Sequence, residues 1–102
     1  MELAGYQRRA LRAAAHGLQP VAHVGKDGLA DNVLKGVKEA LAAHELIKVR
    51  FVDQKENRRE VAASLAEAVD AALAGVVGHI AILYRPHEDP DKRRVHLPQR
   101  ES

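Results

Sequence analysis

Leu29, Val33, Val37 and Leu41 recur every four residues, and Ile47, Val49 and Phe51 then recur every two. The first spacing closes one face of an α-helix and the second closes one face of a strand. A helix running to about His44 must therefore hand over almost at once to a strand over 46–52, whose other face carries Lys48 and Arg50. Other segments repeat the theme. Pro20 starts an extended run, and Val21-Ala22-His23-Val24 reads as a short buried strand. Val61, Leu65, Ala68, Val69, Ala72 and Leu73 mark a third helix ending near Gly75. His79–Arg85 is apolar on both faces until its end, the pattern of a strand covered on both sides. Residues 3–16 predict a first helix with a stripe of Leu3, Ala10, Leu11 and Ala14, stopped at Gly17. Val95-His96-Leu97 reads as a short last strand, halted by Pro98.

The order α-β-α-β-α-β-β predicts an α/β fold with a four-stranded mixed sheet. The βαβ crossovers imply a sheet parallel at its core, with the last two strands antiparallel. A chain of 102 residues supports one hydrophobic core. One compact domain over 1–98 and a loose tail over 99–102 are expected. Asp31 is the expected cap of the second helix, because Ala30 cannot accept a bond. Asp53 with Glu56, or Asn57 with Glu60 in a second register, would open the third.

Composition excludes much chemistry. With no cysteine there are no disulfides or thiolate sites. Threonine is absent and serine occurs only at Ser64 and Ser102, so no nucleophile elbow is available. His16, His23, His44, His79, His87 and His96 lack the paired spacing of a zinc site. Neither an enzyme nor a metal or other cofactor is expected. The N-terminus lacks the regions of a signal peptide, and no apolar run is long enough to cross a membrane. A soluble cytoplasmic domain follows, most simply a monomer, with no small-molecule substrate.

Val24-Gly25-Lys26-Asp27-Gly28-Leu29 lies between a strand and a helix. A glycine turn there aims backbone N–H groups outward, and the following helix adds the positive end of its dipole. This is a seat for a phosphate. Lys26 is followed by Asp27 rather than Ser or Thr, so the loop is not a nucleotide-binding P-loop. Asp27 opposes a phosphate in sign and suits a local turn or cap. Arg8 and Arg12 share a helix face with Arg9 beside them, extending a basic track. Arg85, at the end of a buried strand, can anchor a phosphate or pair with an acid. Lys48 and Arg50 read as an ordinary uncovered strand face. The net charge is only +2, so these local clusters matter more than the total. Two tyrosines and one phenylalanine cannot furnish a stacking platform, so RNA would be gripped by phosphate and shape.

Leu18-Gln19-Pro20-Val21 leading into the glycine loop, then His44-Glu45-Leu46-Ile47-Lys48-Val49, then Gly78–Pro86, resemble the CRM family (chloroplast RNA splicing and ribosome maturation) in its single-domain bacterial YhbY-like form. The match runs from about residue 3 to 98. The resemblance implies a fold similar to the C-terminal domain of translation initiation factor three. It also implies binding to structured ribosomal RNA and to precursors of the large subunit, with Gly25 to Gly28 as the RNA contact. The alternative is a module that docks on ribosomal or other proteins, through the Lys48/Arg50 face or an edge strand, without touching RNA.

Overall fold

The computed structural model describes residues 2–53 and 56–99. Three helices and four strands follow in the order α1 (Gly5–Ala14), β1 (Pro20–Val24), α2 (Asp31–His44), β2 (Leu46–Phe51), α3 (Arg58–Ala68), β3 (Ala72–Val77) and β4 (Ile80–Tyr84). A 3₁₀ turn spans Pro90–Lys92. The sheet order is β1-β2-β4-β3. Only β1 and β2 pair in parallel; β4 lies antiparallel to both β2 and β3.

The expected element order and mixed sheet are present, but two strands are not where the periodicity put them. α3 stops at Ala68, and 72–77 forms β3 instead of a last helical turn. Asp70 takes φ 54°, with Asp70 N–H donating to Glu67 C=O at 3.2 Å and Ala71 N–H to Ala66 C=O at 2.8 Å. These two bonds form a Schellman stop with aspartate in the position glycine usually holds. Alanines at 71, 72 and 74 fit either period, so the apolar spacing ran on past the true end. Val95-His96-Leu97 is not a strand; Val95 and Leu97 pack as single side chains against the α1 core. The centre of the sheet, β2 and β4, is therefore antiparallel rather than parallel. β3 and β4 form a hairpin whose two-residue turn, Gly78-His79, has φ 58° at Gly78. The proposed tail falls on Gln99, which is exposed, and on 100–102, which lie outside the described residues.

The pleat sorts the strands between two cores. Val24, Ile47, Val49, Phe51, Ala81 and Leu83 face α2 and α3. Leu46, Ala72, Ala74, Ile82 and Tyr84 face Leu11 and Ala15 of the first helical segment, with Leu3 beside them. Ala14, expected in the α1 stripe, is exposed, and Ala15 is buried in its place. Burying side chains such as Phe51 and Leu83 stabilises the fold by about 1.5–3 kcal/mol each.

Glu45 joins the layers. It follows α2 with φ 64° and ψ −44°, an uncommon conformation for a side chain-bearing residue, which costs about 1–3 kcal/mol. Its N–H donates to Leu41 C=O at 2.8 Å, and its C=O accepts from Arg85 N–H at 2.8 Å. Its buried carboxylate accepts three backbone N–H groups: His87 at 2.7 Å, Val95 at 3.0 Å and Arg94. The segment beyond β4 is thus tied back to the end of α2. Burial raises the Glu45 pKa, but the bonds from Arg94, His87 and Val95 and the nearby charge of His87 outweigh it, and the group sits below its ordinary value. Burial, and then the negative charge of Glu45, push the Tyr84 phenol up.

Candidate nucleic-acid interface

β1, β2 and β3 end at the same edge of the molecule, where β4 begins. Val52 N–H donates to Val24 C=O at 2.9 Å, and Phe51 N–H to His79 C=O at 2.7 Å. These bonds bring the glycine loop, the loop after β2 and the hairpin turn side by side. Within the glycine loop, Gly28 N–H donates to Gly25 C=O at 3.0 Å, closing a turn with Lys26 and Asp27 exposed at its tip. Gly28 has φ 67° and needs to be glycine for that reason. Gly25 has no positive φ, and a Cβ there would meet nothing within 4 Å. The turn itself does not require a glycine at 25.

The helix after the loop begins with Ala30, not Asp31, as its N-cap. Asp31 is the first helical residue, and no side chain caps the helix. The expected Asp31 cap is absent because extended backbone persists one residue less far, to Ala30 at ψ 159°. The α2 N-terminus thus has no side-chain cap bond, although Asp31 sets one carboxylate in its first turn. At α3, Asn57 is the N-cap, in line with the second register, again without a side-chain bond.

The three α1 arginines have different surroundings. Arg12 Nη1 donates to Ala74 C=O at 3.1 Å, and its stem lies over Gly75, where a Cβ would stand 2.7 Å from Arg12 Cδ. Arg8 Nη1 donates to Leu3 C=O. Arg9 is exposed. Arg8 and Arg12 meet Arg59 of α3 around the edge strand β3, lining a hollow of about 340 Å³. Arg58, beside it, reaches the tip of the sheet, where Nη1 donates to Gly78 C=O and Nη2 lies 3.0 Å from His79 Nδ1. A guanidinium can only donate, so His79 Nδ1 acts as the acceptor in this contact. The sequence shows Arg58-Arg59 as a basic pair, but the hairpin that brings them near the loop was hidden by the misplaced end of α3.

Arg85 is not brought to the loop. It follows β4 at the opposite end of the sheet, where Nη1 donates to Val69 C=O at 2.9 Å. Among the described residues it pairs with no acid, and it lies away from the glycine turn; it ties down the end of α3.

Charge is sorted by layer. α1 and all four strands contain no aspartate or glutamate, while they carry Arg8, Arg9, Arg12, His23, Lys48 and Arg50. α2 and α3 mix both signs. Among the described residues, no three His, Asp or Glu side chains are grouped to hold a metal ion, and no helix is long and apolar enough to cross a membrane.

Residues 3–85 match the model of the CRS1/YhbY (CRM) domain. The chain belongs to the CRM domain family. Among its relatives, the Bacillus subtilis protein named "Probable RNA-binding protein YqeI" is 38% identical over 97 residues, covering 94% of this chain and 99% of that one. A Haemophilus influenzae protein named "RNA-binding protein" is 35% identical over 95 residues, 92% of this chain and 93% of that one. The solution structure of a Staphylococcus aureus hypothetical protein, titled as a candidate RNA binder, superposes with a TM-score of 0.81. It is 33% identical and covers 95% of this chain and 100% of its own. The CRM match takes in the glycine turn, the α1 arginines and the hairpin.

Proposed function

We propose that this CRM domain, residues 1–98, is a non-catalytic cytoplasmic RNA-binding protein. It acts as a monomer on structured ribosomal RNA in precursors of the large subunit and assists their assembly. The observation that carries the reading is the exposed Gly25–Gly28 turn, set before a helix that no side chain caps, in a family whose relatives are named for RNA binding. The Gly25–Gly28 turn receives a phosphate at its exposed tip, on the backbone N–H groups of Lys26 and Asp27 and on the lysine ammonium. Asp27 shapes the turn. Arg9 and the exposed faces of Arg8 and Arg12 extend the contact, and Arg59 joins them around β3. Arg85 positions α3 instead of meeting RNA.

Lys26→Glu and Arg9→Ala, measured against a labelled ribosomal RNA stem-loop, test this. Both should weaken binding and lower its salt slope by about 0.7–0.9 per lost phosphate contact. Unchanged affinity and slope in both would remove the loop and α1 from the interface. Sedimentation after nuclease treatment tests the assembly role: association with large-subunit precursors should be lost.

One observation favours the protein-docking alternative. Ala14, Leu18, Val21 and Leu46 line an apolar groove of about 530 Å³ at the end of the sheet away from the loop. Co-migration with ribosomal proteins that survives nuclease would support that reading.

A further inference from the structure

α1 covers only part of its side of the sheet. Cross-strand register divides that side into rows. Ala72, Tyr84 and Leu46 form one row, buried under α1. Lys48, Ile82 and Gly75 form the next, at the margin of the helix. His23, Arg50, Ile80 and Val77 form the row nearest the glycine loop, and there His23, Arg50 and Val77 are exposed. Between α1 and these rows runs a trough of about 380 Å³, floored by Val77, Ile80 and Ile82 and walled by Arg12, His16 and Lys48.

We propose that this open sheet face is a second RNA-contacting surface, on which a phosphodiester strand leaving the glycine loop crosses His23 and Arg50 and enters the trough beside Lys48 and Arg12. The inference deepens the RNA-binding reading above and rests on it. Charge complementarity identifies the occupant. An exposed sheet face ordinarily sets opposite charges across neighbouring strands. Here none of the four strands, nor the helix beside them, supplies an acid. The like charges of Lys48 and Arg50, two residues apart on one strand face, therefore await an anion from outside.

The walls are held in place. Lys48 Nζ donates to His16 C=O at 3.2 Å, which fixes the ammonium at the trough and leaves further N–H donors. Arg12 is held by Ala74 C=O. The aliphatic floor accepts a ribose or base face without aromatic stacking. His23 directly follows Ala22 in the strand that leads into the loop, so loop and face form one continuous surface.

The test is fluorescence anisotropy with a labelled ribosomal RNA stem-loop over a range of salt. Lys48→Glu/Arg50→Glu is compared with Lys35→Glu/Lys38→Glu on α2, which changes the net charge equally. The face pair should bind at least about tenfold more weakly, with the salt slope reduced by about 1.5, and the α2 pair should stay near wild type. Arg50→Ala, at an exposed position, is the milder variant should the reversal disturb folding; about threefold weaker binding and a slope lower by about 0.8 are expected. Equal losses in both pairs would trace the effect to net charge and overturn the inference. Wild-type affinity in the face variants would overturn it while leaving the loop reading intact. No RNA binding by the wild-type protein would overturn both. Retained RNA binding with lost binding to polyglutamate would assign the face to an acidic protein instead.

Discussion

Replacing Glu45 by glutamine removes one negative charge from a buried knot of backbone donors while keeping the shape of the side chain. In the wild-type protein the carboxylate accepts from His87, Arg94 and Val95 N–H groups. Bonds to a charged group stabilise by about 1.5–3 kcal/mol each, and neutral ones by about 0.5–1.5. In Glu45→Gln one oxygen still serves Arg94 and Val95, at the lower value. The new amide nitrogen faces the His87 N–H as donor against donor. Summed, and reduced by the easier burial of a neutral group, the loss is about 3 kcal/mol. For a domain near 100 residues that lowers Tm by roughly 12–20 °C. Calorimetry reads this directly, and amide exchange at 87, 94 and 95 should quicken more than exchange in β2. The acid limb gives an independent check. The folded-state pKa of Glu45 is depressed, so its contribution is complete above the ordinary value of 4.5 and fades as the pH falls through the lower folded value. Wild type and Glu45→Gln should therefore converge in stability at low pH. A Tm within about 3 °C of wild type at neutral pH, or an unchanged gap at low pH, would refute the account of this carboxylate as the tie that holds the segment after β4.

Gly75→Ala places a Cβ against the Arg12 stem and should cost about 1–2 kcal/mol in chemical denaturation. In an Arg12→Ala background that cost should largely vanish. Gly28→Ala should destabilise by about 1 kcal/mol through its positive φ. Gly25→Ala should stay within about 0.5 kcal/mol of wild type and yet weaken RNA binding, because the added methyl meets only what approaches from outside. Arg85→Met, which loses the donor to Val69 C=O, should cost about 1–2 kcal/mol in thermal unfolding. RNA affinity at a temperature where it remains folded should not change.

Elements with large apolar side chains at regular spacing were legible in the sequence. α2, β2 and β4 fall within a residue or two of their expected limits, because large apolar side chains mark one buried face of α2 and β2 and both faces of β4. β3 was not, because its alanines satisfy either period and its helix stop uses Asp70 where a glycine would have announced it. The glycine turn was readable because Gly28 is demanded by backbone geometry. Glu45 was visible within a family motif, yet nothing local reveals a role that depends on donors more than forty positions away. Arg85 looked like a ligand-facing cation because sequence cannot tell a carbonyl from a phosphate as its acceptor. The sorting of acids away from α1 and the strands was present in the sequence, and became meaningful only once those elements were shown to share one side.

The sheet order also governs how the chain can assemble. Among the described residues, β4 alone bonds to both halves of the sheet, β2 on one side and β3 on the other. Until residues 80–84 are in place, β1-α2-β2 and α3-β3 are two fragments with no sheet bonds between them. Each bares a row of unpaired backbone groups and an apolar strip, Val49 and Phe51 on the first and Leu73 and Val76 on the second. The β3–β4 hairpin is local and can close within microseconds, whereas its docking on β2 joins residues thirty or more positions apart and should set the folding rate. On a growing polypeptide, most of the domain must wait for one five-residue strand. Its arrival completes both hydrophobic layers in a single cooperative step.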